Sequence, residues 1–100
     1  MSMRGQAAIV GIGELPTERR INGRSTNSLL SQAARLAIAD AGLRKEDIDG
    51  IITRGSDVGP MDLAEYMGLS LTFCEGNTQH GSAGAHSVAM AAAAIHAGLA

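Results

Sequence analysis

Positions 74 to 86 read CEGNTQHGSAGAH and gather four reactive side chains: Cys74, His80, Ser82 and His86. Each suggests a chemistry with its own spacing requirement. Gly76 to Ser82 has the glycine spacing of a phosphate-binding loop, but Ser82 stands where the phosphate-reaching lysine is required. Backbone N–H groups at a helix start could still receive an anionic or carbonyl oxygen there. His80-Gly81-Ser82-Ala83-Gly84 differs from the G-x-S-x-G nucleophile elbow only at its first position. No HGGG-type oxyanion segment precedes it, so Ser82 is expected as a plain N-cap. Cys74, His80 and His86 lie six positions apart in succession, which matches no zinc-ligand pattern and leaves no fourth ligand. Cys74 is expected as a small buried hydrophobe in a strand, and His86 and His96 as structural residues on different faces of a helix.

The elements that would position this stretch follow from the apolar periodicity. Ala7 to Ile12 (AAIVGI) reads as a buried strand. Its Gly11-Ile12-Gly13 fails as a dinucleotide fingerprint, because Pro16 stands at the third glycine and no helix follows at once. A polar loop leads to an N-cap at Ser25 or Thr26, then a helix from Asn27 to Ala41. Leu29, Ala33, Leu36 and Ala37 share one face of that helix, and Ser28, Gln32 and Arg35 share the other. Gly42 suits the left-handed residue after the helix, and Leu43 can close a Schellman contact. The charged RKEDID connector leads to a second strand at Gly50 to Thr53. GSDVGP is a loop, Met61 to Leu69 a short helix ending at Gly68, and Ser70 to Glu75 a third strand. A final helix runs from Ser82 to Ala97 and stops at Gly98. The order is βαβαβα, so the fold class is α/β with a parallel sheet.

Bulk properties exclude several functions. Eight basic against ten acidic residues give a net charge of −2, so no basic field exists for nucleic acid or an anionic membrane. Arg4, Arg19, Arg20 and Arg24 lean toward the start, but Glu14 and Glu18 dilute them into a solvated loop. The longest apolar run, Val88 to Ile95, is far below the ~20 residues of a membrane span. A single cysteine fits a reducing cytoplasm, and no signal peptide is visible. With one Phe, one Tyr and no Trp, the core must be small. The chain is therefore expected to be marginal as an isolated monomer. It also stops on a helix with no strand to follow, so residues 1–100 are expected to be part of something longer.

Three stretches carry a family resemblance: AAIVGIGELPTER, SLLSQAARLAIADAGLRKEDIDGIIT and GSAGAHSVAMAAAAIHAGLA. Together they resemble the N-terminal part of the thiolase superfamily, in particular its sterol-carrier-protein or lipid-transfer-protein branch. The link AGLRKEDIDGII is the most diagnostic piece. The resemblance covers nearly all one hundred residues, but about the first quarter of a whole family member. It implies a repeated βαβαβ sandwich with the last helix buried between sheets, and a homodimer paired through the third strand. It implies no bound cofactor; coenzyme A enters as the substrate thioester.

In that family a reactive cysteine opens this helix, in a pattern like C-x-S/T-G-x-x-A that closes I-x-x-G-x-A. The helix dipole and free N–H groups stabilise its thiolate. Aligning Ile95, Gly98 and Ala100 on the closing residues puts Gly84 on the motif glycine, Ser87 on its alanine and Gly81 on the cysteine. A one-residue slip would put His80 there instead. The nucleophile is therefore absent, and Cys74 lies too far upstream to replace it.

Without an acyl-enzyme, conventional thiolysis is not expected. Retro-aldol cleavage of a β-hydroxyacyl-CoA needs only enolate stabilisation and a base, and Gly81 N–H can serve as an oxyanion donor. Cysteine-less aldolases of the lipid-transfer branch typically work with a small OB-fold partner, which the resemblance implies here too. Gly81, Ser82 and His80 are the expected substrate-binding residues, with His80 a weak base candidate. The alternatives are a non-catalytic acyl-CoA- or lipid-binding or scaffolding subunit, and an acyltransferase if the alignment at Gly81 is wrong.

Overall fold

The computed structural model describes residues 2–20, 22–54 and 59–100. Helix α1 spans Thr26–Asp40 and starts as the sequence predicts, with Ser25 Oγ accepting the Ser28 N–H at 3.1 Å. Such a cap typically contributes about 1 kcal/mol. At the other end Gly42 takes φ +70° and the Leu43 N–H reaches Ile38 O at 3.1 Å. This closes the Schellman motif, whose left-handed residue only glycine adopts without penalty.

The expected first strand at Ala7 to Ile12 is not one. It forms no ladder among the described residues, and Ile9, Val10 and Ile12 are 72%, 64% and 77% exposed. The cause lies in its glycines. The run is pressed onto α1 so closely that a Cβ on Gly11 would sit 2.4 Å from Ala37 O, and one on Gly13 2.3 Å from Ala33 O. The Ile12 N–H, which a strand would offer to a neighbour, donates instead to Asp40 Oδ2 at 3.0 Å. The Ala33, Leu36 and Ala37 face therefore receives a chain segment, as its pattern predicts. Leu36 nevertheless stays half exposed, and the helix's buried residue is Ser31.

The RKEDID connector folds into a 3-10 turn, Lys45–Asp47. Asp47 caps it by accepting the Arg44 N–H at 2.9 Å. That bond, helped by the Arg44 guanidinium, holds the Asp47 carboxyl below its ordinary value. Strand β1 follows at Gly50–Arg54. Residues 55–58 of the expected GSDVGP loop lie outside the described residues. Helix α2 spans Pro60–Met67, with proline in its first turn, where the missing N–H costs nothing, and Gly68 ending it.

Strand β2 spans Phe73–Asn77 and pairs parallel with β1. It begins three residues later than the sequence suggests. The register Gly50↔Phe73 explains the shift, since residues 70–72 lie beyond the start of β1 and have no strand to pair with. Thr72 instead anchors the strand's start, its hydroxyl donating to Leu99 O at 2.7 Å and its N–H to Asp49 O at 2.7 Å. Helix α3 spans Ala83–His96 after a 3-10 turn at His80–Ser82.

The result is a mixed α/β unit with a two-stranded parallel sheet and helices packed on it. Successive strand residues face opposite sides. Cys74 faces α2, where its sulfur lies 3.4 Å from Met61 Sδ, and Asn77 faces α3. Among the described residues the buried apolar side chains are few: Leu63, Ala64 and Met67 from α2, Ala83 and Ala94 from α3. No described helix is long and apolar enough to cross a membrane.

Candidate functional site

In a parallel sheet the carboxyl ends of the strands are the usual place for a ligand. Here those ends are Arg54 and Asn77, side by side in register. From Asn77 the chain makes a short turn into α3, and His80, Gly81 and Ser82 form its 3-10 segment. The three residues expected at the site are thus consecutive, exposed, and set where the fold favours binding.

The organising residue is one that no sequence motif singles out. Asn77 is 5% exposed, and its side chain makes three hydrogen bonds. Its Oδ1 accepts the Gln79 N–H at 2.9 Å, and its Nδ2 donates to Ala83 O at 3.1 Å and to Ser87 Oγ at 2.9 Å. Strand end, turn and first turn of α3 are therefore tied through a single amide. Asparagine is common in turns because its short amide can imitate the backbone. That was the only signal, and the polar look of the whole stretch masked it.

Ser82 departs from its expected role. It occupies the N-cap position, yet its hydroxyl caps nothing and donates to Gln79 O at 3.0 Å. Its φ of −90° and ψ of 1° are not the extended geometry a capping side chain needs. The preceding 3-10 turn supplies the bonds instead, with Ser82 N–H on Gln79 O and Ala83 N–H on His80 O. Because Gly76 lies inside β2, the loop is also too short for a phosphate cradle.

His80 holds φ +54°, and it is the non-glycine residue with positive φ among the described residues. Such a conformation costs of order 1 kcal/mol or more and tends to occur at functional turns. Gly81 follows, where an added Cβ would meet nothing within 4 Å. Its N–H donates to no acceptor among the described residues. The turn thus presents an unbonded N–H at the start of a 14-residue helix, beside open space. Such a donor can polarise a carbonyl or hold a developing oxyanion.

The remaining candidates are dispersed. Cys74 is exposed rather than buried, on the sheet face opposite Asn77. The reason is that α2 covers that face only in part, leaving the thiol at its margin against Met61. His86 and His96 are exposed on α3, so neither plugs a core. No group of three or more His, Cys, Asp or Glu side chains able to hold a metal occurs among the described residues. Between the sheet and α3 lies an apolar groove of about 380 Å³, lined by Ile52, Phe73, Ser87, Val88, Ala91 and Ile95.

Known proteins are similar to this chain along almost its whole length. The chain is 38% identical over 100 residues to a 17-hydroxy-3-oxo-4-pregnene-20-carboxyl-CoA lyase of Mycobacterium tuberculosis, covering 98% of this chain and 26% of that protein. It is 37% identical over 98 residues to a steroid side-chain-cleaving aldolase of Thermomonospora curvata, covering 96% and 25%. A solved structure, the Ltp2-ChsH2(DUF35) aldolase, superposes with a TM-score of 0.83 at 35% identity, covering 92% of this chain and 24% of that one. The chain thus spans about a quarter of the length of the curated relatives it matches. No protein-family profile matches the sequence.

Proposed function

We propose that this chain is the N-terminal part of a thiolase-like aldolase that cleaves a carbon–carbon bond in a steroid side-chain acyl-CoA thioester without forming an acyl-enzyme. The observation that carries the reading is the turn itself. At the place where a thiolase-like fold would present a nucleophile, the chain has His80 and Gly81, an N–H unbonded among the described residues, and no thiol. The one cysteine lies across the sheet. Two relatives named for C–C cleavage, similar along almost the whole chain, support the same chemistry.

The reaction needs little from this segment. A base takes the proton from the β-hydroxyl group of the substrate, and the carbonyl of the product ketone forms as the Cα–Cβ bond breaks. The electron pair passes to the thioester as an enolate, and protonation at Cα releases the shorter acyl-CoA. The charge that develops on the thioester oxygen is what a prearranged donor stabilises; one such donor is worth about 10²–10³ in rate. In this reading Gly81 N–H is that donor, and its missing side chain leaves room for the thioester. His80 and Ser82 flank it on the same turn, and in this reading the base comes from elsewhere in the protein. The working unit is a homodimer joined by a small OB-fold partner.

The test uses the protein carrying this chain, purified with its partner and supplied with β-hydroxyacyl-CoA and β-ketoacyl-CoA steroids. Release of a ketone and a shorter acyl-CoA from the first substrate is the expected result. CoA-dependent thiolysis of the second would overturn the assignment of Gly81, and no turnover of either would favour a scaffolding subunit.

A further inference from the structure

We infer that Asn77 and Ser87 form a positioning pair that fixes the strained turn and aims the Gly81 N–H. The inference rests on the functional reading above and adds two residues to it. Asn77 is buried, and both ends of its amide are used. The Oδ1 end takes the Gln79 N–H immediately before the left-handed residue. The Nδ2 end grips α3 at Ala83 O and Ser87 Oγ, one turn apart on the helix.

The consequence is geometric. His80 and Gly81 lie between two points that the same side chain holds, Gln79 on one side and Ala83 on the other. A residue with positive φ relaxes unless its surroundings over-determine it, and this clamp does so. With the ends fixed, the Gly81 N–H stays without an acceptor among the described residues. Ser87 is the part of the clamp that belongs to the helix. It lies half-buried at the edge of the apolar groove, so clamp and groove share a wall. The pair touches no reacting atom in this scheme and acts only through the turn.

The test compares Asn77→Asp, Ser87→Ala and Ser87→Thr in the protein carrying this chain, with its partner present. Asn77→Asp keeps the shape and the acceptor for Gln79 but replaces the donor facing Ala83 O and Ser87 with an acceptor. A misplacement of about 1 Å in a prearranged site costs on the order of 10²-fold in rate. The expected result is a kcat loss of that order for Asn77→Asp with little change in KM. Ser87→Ala should lose less, Ser87→Thr should restore the native value, and amide hydrogen exchange should quicken from Gln79 to Gly84 in Asn77→Asp. Native kcat and native exchange in Asn77→Asp would overturn the inference. So would a loss explained wholly by melting below the assay temperature, with both Ser87 variants equal to native. If the native protein turns over no CoA thioester while Asn77→Asp still loosens the turn, the functional reading fails and the clamp stands. If the native protein is active and Asn77→Asp retains full kcat, the clamp fails and the functional reading stands.

Discussion

Replacing Gly81 by alanine separates a site glycine from a structural one. An added Cβ meets no atom within 4 Å, and Gly81 is not among the glycines with positive φ. Nothing in the folded chain therefore opposes the side chain. Alanine also restricts the unfolded chain more than glycine does, which stabilises by about 0.4–1 kcal/mol where the native backbone tolerates it. Gly81→Ala should therefore fold at least as well as the native protein. Activity should move the other way. If Gly81 N–H receives the thioester oxygen as proposed, the methyl group would stand beside it, and displacing that oxygen by about 1 Å is worth on the order of 10²-fold in rate. The assays are a chemical denaturation curve and steady-state turnover of a β-hydroxyacyl-CoA, the substrate class proposed above. A stable variant with full kcat/KM would refute the reasoning, since the space beside Gly81 would then serve no ligand. A strongly destabilised variant would refute it differently, by showing that the space is filled.

Three further outcomes follow from the same geometry. Gly13→Ala should destabilise by about 1–3 kcal/mol in a denaturant titration, because its Cβ would overlap Ala33 O and the Ala37 N–H and lift the N-terminal run off α1. Cys74→Ser should leave turnover unchanged, since the thiol lies across the sheet from the turn; a large loss would return a thiol to the mechanism. Asp47→Asn should flatten the acid limb of the stability–pH curve. The folded carboxyl titrates below its ordinary value of 3.8 because of the Arg44 N–H and guanidinium. Its contribution is thus full above that value and disappears as pH falls through the lower folded one. Comparing melting temperatures of native and variant proteins from neutral pH down to about pH 3 checks the direction.

Local chemistry in the sequence determined much of this protein. Ser25, Gly42 and Leu43 specify both ends of α1 through bonds spanning five residues or fewer, so the helix is legible without any neighbour. The alternation of short apolar runs with helices likewise announces an α/β unit with parallel pairing. The resemblance at positions 81 and 84, and the expectation of a missing thiol that it carries, likewise rest on residue identity alone and need no neighbour.

Tertiary structure decided what depends on partners distant in sequence. AAIVGI has strand composition, yet Gly11 and Gly13 let it lie directly on α1, and Asp40 takes the N–H that a strand would have offered. Composition is indifferent to whether an extended run finds a ladder or a helix. The start of β2 was set by where β1 begins, a register that residues 70–72 could not express on their own. Ser82 had the right type for a cap, but the 3-10 turn before it moved its backbone out of capping geometry. Asn77 shows the difference most clearly: its identity was in the sequence, but its role exists only because Gln79, Ala83 and Ser87 converge around one amide.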